Sequence, residues 1–239
     1  MEVPKIIHQI WSAKFKPYPA IFGKLADTWR RYHPDWEYIL WDDERMDCFV
    51  HTYYPEYEEI FKRFPYDVQR WDVIRYLILY KMGGFYVDCD YECRKPFDSL
   101  LGDHTCCLGL EPSSHAAYAR RDICIGNALM AVKAGHPFMR ELIDHVMSAP
   151  IPEVLPRDKI AYVVLSTGPI FLSNLYETSA YRSDIHLMSD EKVAPFSTQE
   201  CRALIQGERP DNYESRKASA WAIHYFTTCW ASQLKKIVN

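Results

Sequence analysis

The sequence predicts one α/β domain, with a mostly parallel central sheet flanked by helices. Three observations carry that expectation. Short apolar, β-branched or aromatic runs alternate with segments whose apolar residues recur at helical spacing. The connections between them are short, and no Gly/Ser linker, repeat or low-complexity tract interrupts the chain. A hydrophobic content of 48%, with 15% aromatic residues over 239 positions, fills one substantial core. Alternation of this kind favours parallel strands covered on both faces.

Lys5–Trp11 (KIIHQIW) reads as the first strand, following Pro4. Pro17 to His33 places Ile21, Phe22, Leu25, Ala26 and Trp29 on one side of a helix, and Pro34 ends it. Glu37–Trp41 (EYILW) is a second strand. Asp43 suits the N-cap of a helix through Val50, and a short helix spans Tyr54–Phe64 before Pro65. The longest helix is expected from Asp67 to Met82, with Gly83 where a left-handed C-cap is wanted. Strand Phe85–Val87 follows. Further strands are expected at Thr105–Leu110, Ile123–Gly126 and Ile185–Met188, and helices at Asn127–Ala134, Pro137–Met147 and Gly168–Thr178. Pro150–Arg157 (PIPEVLPR) reads as a loop inside a single domain, residues 1–239.

Bulk properties narrow the function classes. A formal charge of −4 with scattered Lys and Arg disfavours a nucleic-acid binder. No signal-peptide pattern opens the chain, and no run approaches the ~20 apolar residues of a membrane span. A soluble, cytoplasmic protein is the expectation. None of the eight cysteines forms a CxxC pair, which argues against structural zinc, and reduced thiols fit a cytosolic setting. Cys89 and Cys93 read as small buried fillers.

The densest chemistry lies in Asp72 to Asp90, DVIRYLILYKMGGFYVDCD. Asp88 and Asp90 close this stretch, one residue apart. On an extended strand they share a face, and at a strand end they project into the crevice where open α/β sheets bind ligands. Two carboxylates side by side repel each other, and a divalent cation is the usual reason to keep them. Oxygen ligands suit Mg²⁺ or Mn²⁺, which would clamp a diphosphate. A solvated turn with Asp88 as a cap is the plainer alternative, and a bare DxD triplet is common by chance, but the setting after a helix, a double glycine and an aromatic strand favours the metal. Asp72 and Arg75 share one helical face among almost wholly apolar neighbours, so they are either a buried structural pair or aimed into a site. Trp11 ends the first strand, where it could stack on a flat base or simply fill the core. His224 follows an apolar run and could be a third metal ligand, although a lone histidine is more often structural. His8 reads as core or sheet edge. Glu111 reads as a loop carboxylate. No GxxxxGK[ST], HExxH or GxGxxG motif is present.

Taken together, KIIHQIW, DVIRYLILYKMGGFYVDCD and the late His224 and Trp230 resemble the DxD sugar-transfer proteins of glycosyltransferase family 32. The catalytic domains of large clostridial glucosylating toxins look similar over the same helix-to-DxD stretch. The pattern DxxRYxxLYxxGGxYxDxD is specific. The resemblance covers roughly the first hundred residues well and the remainder loosely. It implies a GT-A fold, a nucleotide-sugar donor (UDP- or GDP-linked), and Mn²⁺ or Mg²⁺. It implies Trp11 on the donor base, Asp72 and Arg75 on the donor sugar, and Asp88 at the ribose, sugar or metal. It also implies Asp90 and His224 on the metal, Trp230 near the diphosphate and Asn127 near the reacting sugar. Donor binding would fall in about residues 1–110, and the acceptor side in about 111–239. Retention of anomeric configuration is implied. The extra helical subdomain of the toxins is absent, which favours a glycan or lipid-linked acceptor, in surface polysaccharide synthesis, over toxin-like protein glycosylation.

Two other readings remain open at this point. A non-catalytic module of the same fold would bind a nucleotide sugar or carbohydrate without consuming it. A metal-dependent phosphohydrolase would cleave the diphosphate itself. Acceptor loops are expected around Glu111–Asp122 and Pro150–Arg157. Trp230–Lys236 could touch the inner face of a membrane, or form a solvated terminal helix.

Overall fold

The computed structural model describes residues 2–14 and 16–228. Trp230, with the whole segment Trp230–Lys236, lies outside the described residues. The strands are β1 (Ile6–Ile10), β2 (Glu37–Trp41), β3 (Gly84–Val87), β4 (Tyr91–Cys93), β5 (Cys106–Leu110), β6 (Ile125–Val132), β7 (His186–Met188) and β8 (Ala222–His224). The helices are α1 (Ala20–Tyr32), α2 (Asp43–Tyr53), α3 (Glu58–Arg63), α4 (Asp67–Met82), α5 (Asp98–Leu101) and α6 (Ser113–Tyr118). Then come α7 (Pro137–Ser148), α8 (Lys159–Ser166), α9 (Pro169–Thr178), α10 (Asp190–Val193), α11 (Thr198–Ile205) and α12 (Tyr213–Ser219).

The main sheet runs β2-β1-β3-β6-β5-β7. Only β6 is antiparallel to its neighbours; the other strands share one direction, so the sheet is mostly parallel as expected. From β1 the chain steps outward to β2, then returns to β3 on the other side of β1. That reversal opens a crevice at the carboxyl ends of β1 and β3. A separate ribbon, β4 with β8, pairs Tyr91 with His224 and carries the far end of the chain to that crevice.

The longest helix, α4, has the predicted bounds. It is buried nearly all round, with Val73, Ile74, Tyr76, Leu77, Ile78 and Leu79 at 0% exposure, because it sits beneath the sheet and against α7. Its end is fixed by Gly83 at φ +68, where a Cβ would lie 2.6 Å from the Ala134 backbone nitrogen. The opposite sheet face is covered by α1. Trp29, fully buried there, donates its indole N–H to the Tyr91 carbonyl at 3.0 Å.

Two local expectations are corrected. Of residues 127–134, expected as a helix, 127–132 belong to β6 and the last two to the turn after it. Their helix-forming composition yields to position: Met130 and Val132 pack into the core under α4 and α7, while Leu129 and Ala131 pack on the α1 side. A segment buried on both faces carries no period that separates strand from helix. The cap of α2 is Asp42, which accepts the Arg45 N–H at 2.9 Å, and Asp43 is its first helical residue.

Candidate active site

Asp88 and Asp90 stand in the turn between β3 and β4, not on the strand itself. The Asp88 N–H donates to Ala128 O at 2.9 Å, and the Tyr91 N–H closes the turn on Asp88 O at 3.2 Å. Alternation along an extended strand is therefore not what brings the carboxylates together; the turn is. Cys89 between them is buried against Phe22 and Leu25 as a small filler, its thiol 3.3 Å from Ile10 O.

Asp90 is buried and held on both oxygens. Oδ1 lies 3.1 Å from His224 Nε2, while Oδ2 accepts the Thr227 N–H and hydroxyl, each at 2.8 Å. Burial opposes its charge, but the charge and hydrogen bond of His224 and both Thr227 donors outweigh burial and hold the carboxyl at about 2. His224 loses from burial as well, yet Asp90 raises it above the ordinary histidine value. Its ring stacks on Tyr91 at 4.2 Å, and its Nδ1 is buried with no hydrogen-bond partner among the described residues.

Asp88 is more open, its side chain 31% exposed. Its Oδ1 accepts the Tyr86 hydroxyl at 2.6 Å and Arg75 Nη1 at 3.1 Å. Burial pushes this carboxyl up, against the pull of Arg75. Arg75, Asp72 and Asn127 form a buried cluster next to it. Arg75 reaches Asp72 Oδ1 at 3.2 Å and donates to the Asn127 carbonyl at 2.9 Å. Asp72 also accepts the Asn127 amide at 2.9 Å and the Thr167 hydroxyl at 2.8 Å. Burial raises its carboxyl, and Arg75 opposes the rise.

Asp72, Arg75, Asp88, Asp90, Asn127 and His224, with Trp11, line one cavity of about 290 Å³. Trp11 is clamped edge-on by Tyr18 and Phe22, at 5.6 and 5.4 Å between ring centres, and bonds Lys16 O through its indole nitrogen. Asp72, Arg75, Asn127, Asp88, Asp90, His224 and Trp11 thus meet in one place; Trp230 is outside the described residues.

The donor set suits a small hard cation. One carboxylate oxygen each from Asp88 and Asp90 and one nitrogen from His224 lie within 4.8 Å of one another. An octahedral ion with bonds near ~2.1 Å sets adjacent ligands about 3 Å apart. The 3.1 Å between Asp90 and His224 matches that spacing.

Residues 19–107 match the family model described as the glycosyltransferase sugar-binding region containing the DXD motif. Inositol phosphoceramide mannosyltransferase 1 of Schizosaccharomyces pombe is 34% identical over 217 residues, covering 90% of this chain. The chain carries the DXD sugar-binding region of the glycosyltransferases. Mannosyl phosphorylinositol ceramide synthase CSH1 of Saccharomyces cerevisiae is 31% identical over 73% of this chain. The chain spans 60% of the first relative's length and 43% of the second's. Among solved structures, the UDP-bound glycosyltransferase domain from the YGT toxin superposes with a TM-score of 0.53 at 10% identity, covering 79% of each chain. The fold is the glycosyltransferase α/β fold that the resemblance implies.

Sequence reasoning missed several residues that support this cavity. Thr167 and Tyr76 fix the Asp72–Asn127 pair, and Thr227 fixes Asp90. None carries a motif. The one available signal lies in the Tyr-Phe-Thr-Thr run after His224, where Phe226 and Thr228 adopt φ of 45°. Backbone strain of that kind gathers at functional sites.

Proposed function

We propose that this domain is a metal-dependent, retaining glycosyltransferase that moves a hexose from a UDP- or GDP-sugar to a glycan or lipid-linked acceptor. The names of the relatives favour mannose as the hexose. They also favour an inositol-phosphate lipid head group as acceptor over the surface polysaccharide expected from sequence. One observation carries the reading. Asp90 and His224, 134 residues apart, meet beside Asp88 at the mouth of the buried Asp72–Arg75–Asn127 cluster.

Trp11 supplies the wall for the base, and the neighbouring cavity of about 350 Å³, which shares Ser12 and Trp71, gives base and ribose room. Asp88, Asp90 and His224 would hold Mn²⁺ or Mg²⁺, whose charge would stabilise the departing nucleoside diphosphate. Arg75 is fixed by Asp88 and the Asn127 carbonyl, so its guanidinium lies preorganised next to the diphosphate end of the sugar. Asp72 sets a negative charge where an oxocarbenium-like carbon would develop. The Asn127 amide nitrogen is committed to Asp72 and Tyr76, which leaves its Oδ1 for a sugar hydroxyl. The donor half would end near residue 110 and the acceptor half follow it. Trp230 near the diphosphate, and a peripheral contact of Trp230–Lys236 with a cytoplasmic membrane face, complete the proposal.

The test is release of nucleoside diphosphate from a panel of UDP- and GDP-hexoses with Mn²⁺, with and without inositol phosphoceramide. We expect release by the unaltered chain, and a loss of at least ~10²-fold in Asp90→Ala, in the range typical of lost transition-state charge stabilisation. Undiminished turnover by Asp90→Ala sinks the reading. Binding of donor without release marks a carbohydrate-binding module instead.

A further inference from the structure

We infer that Glu111, held by His115, binds the acceptor's attacking hydroxyl; this rests on the glycosyltransferase reading of the cavity and supplies its acceptor side. The donor-side residues sit at the carboxyl ends of β1 and β3. Glu111 follows directly on β5, beyond β6 in the sheet, and lines the same cavity from the other wall. Its side chain is 12% exposed.

The carboxylate is built into place. His115 Nε2 accepts the Thr198 N–H at 3.4 Å and lies 2.9 Å from the Thr198 hydroxyl. The ring proton is therefore on Nδ1, which donates to Glu111 Oε2 at 2.7 Å. Glu111 Oε1 makes no hydrogen bond among the described residues. It lies over Gly126, where a Cβ would come within 2.5 Å of it. The residue before Asn127 thus leaves room for this oxygen by having no side chain, and sets it next to the residue assigned to the donor sugar. A carboxylate with one oxygen anchored and the other turned into a sugar-sized cavity is an acceptor for a hydroxyl of a polyol ring.

The experiment compares the unaltered chain with Glu111→Gln and Gly126→Ala. It measures nucleoside diphosphate release from the donor panel with Mn²⁺, without acceptor and across a range of inositol phosphoceramide in detergent micelles. In Glu111→Gln the amide oxygen takes the His115 bond, so the NH₂ faces the cavity and a donor replaces an acceptor. Gly126→Ala displaces the carboxylate and changes no charge. Thermal melts check that each variant is folded. We expect the lipid KM to rise at least tenfold while the donor KM moves far less. Without lipid, where water takes the hydroxyl's place, we expect turnover to fall at least tenfold. If folded Glu111→Gln and Gly126→Ala both keep lipid KM and acceptor-free turnover within twofold, the inference is overturned and the glycosyltransferase reading stands. If the unaltered chain releases nucleotide from no donor, both fall.

Discussion

His8 makes a quantitative test of the sheet that carries the site. It is fully buried in β1. Its Nε2–H donates to Gly83 O at 2.9 Å, and its Nδ1 accepts the Trp41 indole N–H at 3.2 Å. The neutral ring is satisfied on both sides, and a second proton on Nδ1 would meet another N–H. Burial lowers its pKa from 6.5 to about 4, with the Gly83 bond opposing. Because the folded value is below the unfolded one, the unfolded chain takes up the proton first as pH falls. The contribution to stability is complete above about pH 6.5 and drains away as pH falls toward 4. The gap between 6.5 and about 4, at about 1.36 kcal/mol per unit, amounts to roughly 3 kcal/mol, of which about 2 is lost by pH 5. Urea unfolding of the chain and of His8→Gln between pH 7.5 and 5 reads this directly. Glutamine keeps one donor and one acceptor but does not titrate, so its penalty is the same at each pH. Burial also lowers His33 and His136, and both cancel in the difference. The unaltered chain should lose about 2 kcal/mol more than the variant over that range. Parallel stability curves would refute a neutral buried His8.

Two other substitutions probe the site's support. Tyr76→Phe removes a hydroxyl that donates to Thr167 O at 2.6 Å and accepts the Asn127 amide at 3.0 Å. It should cost about 1–3 kcal/mol in thermal or chemical unfolding and lower kcat more than it moves the donor KM; unchanged stability would mean both partners find water. Gly84→Ala places a Cβ 2.7 Å from Ile6 O and 2.9 Å from His8 Nε2 at φ +105, and should destabilise by at least about 1–3 kcal/mol. A loss below ~0.5 kcal/mol would show that β1 and β3 yield locally.

What could be read from the chain follows from where the physics is local. The helix α4 was legible to its ends because Pro65, the glycines after Met82 and an unbroken apolar run all act within a few residues. The pairing of Asp72 with Arg75 was legible from helical spacing, and their burial from their neighbours. The contact between Asp90 and His224 was not, since it depends on β4 pairing with β8 across most of the chain. Resemblance supplied it where spacing could not. Residues 127–134 failed for a related reason. Their strand exists only because β3 and β5 stand on either side, and nothing within the segment records that. Glu111 does lie in a loop, just after β5, but its setting was not legible, because it depends on Gly126 and His115, which the sheet and α6 bring to it.

The charge balance of the cluster explains why these groups tolerate one another. Asp72, Asp88 and Asp90 crowd into a largely buried space with Arg75 as the fixed cation. With His224 neutral, the set carries two uncompensated negative charges, an expensive state away from water. In the arrangement described here His224 leans on Asp90, and each is shifted toward its charged form, which covers part of the deficit. A divalent cation would cover all of it and leave His224 free to ligate as the neutral ring. The same deficit argues against reading the pair as purely structural. A buried network built only for stability would be expected to close its own charge, as the surface pairs Lys5–Asp35 and Arg140–Asp144 do. Here the imbalance is gathered at the one edge of the sheet where the chain reverses direction, and that edge is where a charged ligand can complete it.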